Sequence, residues 1–351
     1  MGRAICSASQ GSAGPTEVYV RALRAHRHCH PLQRTIRGPS FGLRGMAYAC
    51  HIALLRSGVL MKTELLPGFE GLSGQYDHLI VDLWGTLHNG IDPLPGAVEC
   101  LEMFGAAGAR IVLLSNAPFR VSAVHDVLGQ IGIPDTIYED IFCSGEIAWC
   151  AIRDRTDPWH AKLGRRAAFI GPDRHRTMLD NPGIDAAAEL EDADFVICTG
   201  PREPGHALED YIPELERAAA AQLPMICTNP DREVLRGTVR EICAGAMAEA
   251  YEARYGGEVA WHGKPYRPVY DEVLRHLGNP DRGRVLMVGD GVLTDVAGAA
   301  AAGIDAAFIV GGIAAERLGA APGTLPTPER LEAMLDEAGQ APRYAMPGLV
   351  W

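Results

Sequence analysis

From residue 76 onward, short apolar runs alternate with longer stretches in which apolar residues recur every three or four positions. Apolar runs without polar alternation read as strands buried on both faces, and the intervening periodicity reads as helices packed against them. The runs fall at 78–83, 110–114, 167–170, 195–198, 225–227, 285–288 and 306–310. Helical spacing appears over 97–104, 121–131, 209–221, 238–255, 269–277 and 295–302. Gly or Pro closes many units, as at Gly108, Gly132 with Pro134, and Gly278 with Pro280. This alternation predicts an α/β protein with a Rossmann-like parallel sheet. No repeat of fixed period is present.

Polar side chains with chemistry cluster where the runs stop. In an open parallel sheet, ligands bind beyond the C-terminal ends of the strands. Asp82 ends the first run ahead of a Gly85-Thr86 turn, and Ser115-Asn116 ends the second. Lys264 follows His262-Gly263 just before a helical stretch, and Asp290 and Asp295 follow the run at 285–288. Nearly 150 residues separate the second cluster from the third, with their own strand–helix alternation. The segment 146–258 therefore reads as an inserted α/β domain, placed to form a lid. The core is then 62–145 with 259–325, followed by a C-terminal helix and tail at 326–351.

Composition narrows the classes. Apolar residues make up 47% and charged residues 22%, ordinary for a globular protein. No 18-residue apolar run exists, so no membrane span is expected. The net charge of −12 hides an asymmetry: residues 1–61 carry eight arginines, no lysine and one acid, Glu17. The remainder is strongly acidic, which argues against nucleic acid as a partner. Nine cysteines without a CxxC pair point to reduced thiols and a cytoplasmic location.

The first 61 residues read as a basic extension outside the fold. Their arginines and scarcity of acids fit a transit peptide. His51 and Arg56 interrupt the only apolar stretch, which argues against a signal peptide. Met61 reads as a natural start, with the reading frame set too far upstream. His26, His28, Cys29 and His30 are metal-ligating types, but nothing around them builds a packed frame.

Each strand-end residue has an ordinary explanation alone: Ser115 as a helix cap, Lys264 as a solvated charge, Asp290 as a turn former. Together they suit one reaction. A carboxylate such as Asp82 attacks phosphorus to give an aspartyl-phosphate, which water then cleaves. A phosphate dianion repels that carboxylate, so Mg²⁺ held by Asp82 and Asp290, with Asp295 holding or orienting it, would bridge them. Ser115 and Asn116 donate hydrogen bonds to phosphoryl oxygens, and Lys264 offsets their charge.

This arrangement resembles the haloacid dehalogenase superfamily, in its class IIA branch with a large cap between the second and third motifs. The matching pieces are Asp82-Leu-Trp-Gly-Thr-Leu with Gly90, Pro95-Gly96-Ala97, Leu114-Ser115-Asn116, Cys227-Thr228-Asn229-Pro230-Asp231, Gly263-Lys264-Pro265, and Gly289-Asp290 with Thr294-Asp295. They span about residues 76–312. The branch includes nucleotide- and sugar-phosphate, phosphoglycolate and pyridoxal-phosphate phosphatases. The resemblance implies Asp82 as nucleophile, Ser115 and Lys264 as phosphate holders, and Asp290 and Asp295 as Mg²⁺ residues. It places Asn229 and Asp231 in the cap facing the cleft, as substrate-binding candidates beside Asn116. Weaker cap candidates are Arg174 and His175. Relatives of this kind often dimerise through the cap, which makes a homodimer an expectation.

One residue departs from the pattern. Two positions after the nucleophile, most such phosphatases carry an aspartate that protonates the leaving oxygen and then activates water; here it is Trp84. Removing general acid–base catalysis costs about 10²–10⁴-fold. The metal site survives such a change, because the family uses this position's backbone carbonyl as a ligand. Three readings follow: a phosphomonoesterase acting on a small phosphorylated metabolite, a phosphate-binding protein with impaired catalysis, or a different reaction on the same frame. Haloacid dehalogenases carry a bulky Tyr here, but they lack the pair corresponding to Asp290 and Asp295. Phosphonate cleavage needs a cap lysine, for which only Lys162 is available. His88 is the nearest titratable substitute for the missing acid.

Overall fold

The computed structural model describes residues 63–236 and 239–351. Its first strands are β1 (Glu64–Leu65), β2 (His78–Val81), β3 (Arg110–Ser115), β4 (Asp140–Cys143), β5 (Arg166–Ile170), β6 (Asp185–Ala186) and β7 (Phe195–Cys198). These are followed by β8 (Met225–Cys227), β9 (Glu233–Arg236), β10 (Val239–Ile242), β11 (Val259–Trp261), β12 (Val285–Gly289), β13 (Asp305–Ile309) and β14 (Tyr344–Met346). They form a seven-stranded sheet in the order β1-β14-β13-β12-β2-β3-β4, a five-stranded sheet β11-β8-β7-β5-β6, and a β9–β10 hairpin. Both larger sheets are parallel throughout and the hairpin is antiparallel.

The run of unbroken apolar residues in β2 and β12 has a direct cause. Leu79, Val81, Leu286 and Val288 pack into one layer with the helix Ala97–Ala106. Ile80, Val285 and Met287 pack into the opposite layer with Arg267–His276, Ala297–Ala302 and Pro328–Ala338. Each strand is thus covered on both faces, and polar residues appear only at its end. The second sheet has its own contiguous core around Phe195, Ile197, Ile226, Met247 and Tyr251.

Several boundaries differ from the sequence reading. The inserted segment was bounded at 258, but β11 pairs with β8, so the second sheet runs to Trp261. The segment 326–351 is more than a helix and tail: β14 pairs with β13 and β1 inside the main sheet. Three apolar residues sufficed for that strand because it is buried on both sides. The helix expected over 238–255 begins at Ala244, after the hairpin strand β10. The stretch 209–221 splits into a 3₁₀ turn, Leu208–Tyr211, and a helix, Ile212–Ala220, with Pro213 in its first turn. Strands β1 and β4 were not expected; β4 runs straight into the helix Ser144–Asp154, leaving no turn signal between them. Expectations for residues 1–61 lie outside the described residues. Among the described residues, no helix is long and apolar enough to cross a membrane, and Cys100, Cys143, Cys198, Cys227 and Cys243 are buried free thiols.

Candidate active site

Strand β2 lies between β3 and β12, where the strand order reverses direction along the chain. Such a switch point leaves a crevice beyond the strand ends. Asp82 enters it directly: its N–H donates to Val288 O at 2.8 Å, and the residue is buried. The chain then folds back, with Leu83 O accepting the N–H groups of Leu87 and His88. Gly85 sits at φ +81°, and a Cβ there would overlap Asp290 Oδ2. The glycine of the Asp-Leu-Trp-Gly motif is therefore the space through which the acid of β12 reaches the site.

Asp290 and Asp295 are oriented by backbone donors. Asp290 Oδ2 accepts from Ile313 N at 2.7 Å, and Asp295 Oδ2 accepts from Gly291 N at 2.9 Å. Carboxylate oxygens of Asp82, Asp290 and Asp295 lie within 4.8 Å of one another, all buried. Lys264 is buried among them, donating to Asp82 Oδ1 and to Leu114 O at 3.1 Å, with Asp295 Oδ1 2.7 Å from its Nζ. Burial works against its charge, but Asp295 and then Asp82 outweigh this and keep its proton bound.

The carboxylates show the opposite balance. Burial raises Asp82 against the pull of Lys264. Burial, then Asp82 and Asp295, raise Asp290 well above the usual range. Asp295 is pushed up to about 6 by burial, with Lys264 opposing and Asp82 adding. Three buried acids share one ammonium, so the cluster is short of positive charge. Hard oxygen donors this close together form a set suited to a small divalent cation.

The opposite side of the crevice comes from the inserted segment. Asn116 is the bridge: its Oδ1 accepts from Lys264 N at 2.8 Å, and its Nδ2 donates to Asp231 Oδ1 at 2.9 Å and Lys264 O at 3.1 Å. Asn229 Oδ1 accepts the N–H of Asp231 at 2.9 Å, so Asn229 shapes the loop that presents Asp231. Ser115 is buried, its Oγ accepting from Ala117 N at 3.2 Å. Trp84 crosses the crevice, donating its indole N–H to Leu235 O of β9 at 2.7 Å. Its ring packs edge-on to His88 at 5.2 Å, and a Cβ at Gly90 (φ +87°) would overlap it.

Asp82, Ser115, Lys264, Asp290 and Asp295 are thus brought to the main-sheet side, with Asn116, Asn229 and Asp231 beside them. Other candidates are not. Arg174 is exposed, and His175 is buried against Thr199 Oγ1 (3.2 Å) and Phe119. Lys162 is exposed on a 3₁₀ turn of the insertion. His88 Nδ1 accepts from Gly90 N at 2.9 Å, and burial pushes the imidazole down to about 4, so it is neutral and engaged in the turn. A cavity of about 270 Å³ on the second sheet, lined by Phe169, Arg176, Arg202 and Arg217, lies apart from the carboxylates; Glu214 and Glu191 pair with two of its arginines.

Sequence reasoning missed the contacts that tie the two sides together. Ser144 Oγ donates to Thr228 O at 2.6 Å, Thr228 Oγ1 donates to Pro118 O at 3.3 Å, and Arg240 pairs with Glu316 at 3.1 Å. Ser144 stands at the end of the unexpected strand β4, and that position was its one available signal.

The haloacid dehalogenase-like hydrolase family model matches residues 76–303. Chronophin from Bos taurus is 27% identical over 260 residues, covering 68% of this chain and 82% of that protein. A 5'-nucleotidase from Bacillus subtilis is 25% identical over 251 residues, covering 68% of this chain and 88% of its own. The crystal structure of a haloacid dehalogenase-like hydrolase from Brucella suis superposes with a TM-score of 0.69 at 32% identity, covering 81% of this chain and 99% of that one.

Proposed function

Because the chain belongs to the haloacid dehalogenase-like hydrolases, we propose that it is a Mg²⁺-dependent phosphomonoesterase for a small phosphorylated metabolite. The observation that carries this reading is the buried Asp82–Lys264 pair beside Asp290 and Asp295 at the switch point of the sheet. A dehalogenase has no use for such an acidic pair, whereas a phosphate dianion approaching Asp82 requires added positive charge. The relative named as a 5'-nucleotidase supports a phosphate ester as substrate.

In this reading Asp82, Asp290 and Asp295, with the Trp84 carbonyl, would hold Mg²⁺, which would supply charge neutralisation for the phosphoryl oxygens. Asp82 attacks phosphorus through a carboxylate oxygen, and the P–O bond to the alcohol breaks. Lys264 and Ser115 bind the phosphoryl oxygens where negative charge is greatest. Water then cleaves the aspartyl-phosphate and restores Asp82. The inserted segment 146–261 acts as a cap that limits water and selects the alcohol portion. A cytoplasmic location and a homodimer formed through that cap complete the proposal.

Phosphate release from a panel of small phosphomonoesters, with and without Mg²⁺, tests it. Mg²⁺-dependent release that disappears in Asp82→Asn supports the reading. Phosphate binding without release, in wild type, would instead favour a metabolite-binding protein, the alternative that Trp84 raises.

A further inference from the structure

We propose that Asp231 is the general acid and base of this site, reaching across from the inserted segment, and that Trp84 is the positioning residue that holds it there. The inference rests on the phosphomonoesterase reading.

Position 84 offers no titratable group. Its indole N–H is directed away from the acids and onto Leu235 O, four residues beyond Asp231. His88 is neutral and its Nδ1 is engaged by Gly90 N. Asp231 differs from both. It is carried by the loop between β8 and β9, yet its Oδ1 is fixed by Asn116, the residue next to Ser115. Asn116 is in turn locked on both sides of the Lys264 peptide. The Asp231 carboxylate is thus anchored to the same backbone that sets Lys264 and the phosphate-binding hydroxyl.

Asp231 is part-exposed, whereas Asp82, Asp290 and Asp295 are buried. Two tethers flank it: Asn116 at Asp231 itself and Trp84 at Leu235. Tryptophan at this position therefore supplies no proton donor and fastens the segment that bears Asp231. Burial pushes the Asp231 carboxyl up to about 6, with Lys264 and the Asn116 hydrogen bond opposing and Asp295 adding. Asp82 and Cys243 also feel its charge. A carboxyl titrating near working pH suits proton transfer in both directions.

The steps balance. As Asp82 bonds to phosphorus and the ester P–O bond breaks, protonated Asp231 passes its proton to the departing alkoxide oxygen. Ionised Asp231 then takes a proton from water as the water oxygen bonds to phosphorus and the Asp82–phosphorus linkage breaks, which restores the acid.

Asp231→Asn in the full-length protein with Mg²⁺ separates the two steps. A nitrophenolate leaves without a proton, so p-nitrophenyl phosphate should give a rapid burst of about one equivalent, followed by slow turnover. Glycerol 2-phosphate should show no burst, with kcat lowered about 10²–10⁴-fold. Trp84→Phe, which keeps a ring and drops the indole N–H, should lower kcat on the alkyl ester more than on the aryl ester. Equal loss of burst rate and alkyl turnover in Asp231→Asn would assign it to binding and overturn the proposal, as would unchanged alkyl turnover. Wild-type protein that releases phosphate from neither ester would overturn the phosphomonoesterase reading and this inference with it.

Discussion

The two walls of the crevice are built on different principles. On the main-sheet wall, Asp82, Asp290, Asp295 and Lys264 are buried, and each is fixed by a backbone group: Asp82 N–H by Val288 O, Asp290 by Ile313 N, Asp295 by Gly291 N and Lys264 by Leu114 O. On the facing wall, Asp231 and Leu235 are partly exposed, on a loop that starts with the buried Thr228 and Asn229 and runs into the hairpin. Directional contacts hold that wall in place: Asn116 to Asp231, Trp84 to Leu235, Ser144 to Thr228, Thr228 to Pro118 and Arg240 to Glu316. The first wall concentrates charge by burial; the second is held by side-chain contacts across the crevice, and its partly exposed hairpin is the part that opens most readily. The comparison divides the labour: charge is fixed on one side, proton transfer and access on the other.

The largest expected effect lies on the main-sheet wall. Asp82→Asn should abolish turnover, by about 10⁴-fold or more, with the fold retained, read as phosphate release beside circular dichroism. Any variant of the facing wall that also abolished the p-nitrophenyl phosphate burst would erase the distinction.

Next comes Lys264→Met, which leaves Asp82 and Asp295 without their buried cation. It should lower the unfolding free energy by about 3–5 kcal/mol in urea titrations with chelator present. Added Mg²⁺ should recover part of that loss, since a ligand bound by the folded state alone stabilises it. No recovery would argue against a cation among the three acids.

Asp231 sharpens the contrast through pH. Burial raises its carboxyl in the folded protein from the ordinary 3.8 to about 6, so the folded protein binds the proton more tightly. Its contribution is therefore fully present below about pH 4 and fades as pH rises through 6. Asp231→Asn has no charge to desolvate, so it should gain stability relative to wild type over that window, by about 2 kcal/mol after allowing for partial exposure. Paired thermal melts at pH 4 and 7 measure it; a constant difference would refute the assignment. The smallest effect is that of Trp84→Phe on stability. Losing one hydrogen bond costs about 1 kcal/mol, which hydrogen exchange should localise to the hairpin amides of Val234 and Leu235.

The same contrast explains what was legible from the chain alone. The acids and Lys264 were readable because buried parallel strands leave unbroken apolar runs, and polar residues stand out where they end. The β-hairpin was hidden: Val239-Arg240-Glu241-Ile242 precedes a helix, and its spacing merges with helical periodicity. Strand β11 was not expected, and its residues were counted with the main core, because Val-Ala-Trp is too short a run to show which neighbour it will find. The role of Trp84 was illegible for a deeper reason. Its partner is a backbone carbonyl 151 residues away, and carbonyls have no sequence signature.

The order of strands has a consequence for how this chain is made. The five-stranded sheet is drawn from one uninterrupted stretch, from β5 to β11, whereas β2 must wait for β12, some two hundred residues later in synthesis. On the ribosome the inserted unit can close while the main sheet still lacks its central neighbour. The strand that delivers Asp82 then stays unpaired on that side, displaying its apolar faces to the chaperones that attend nascent chains.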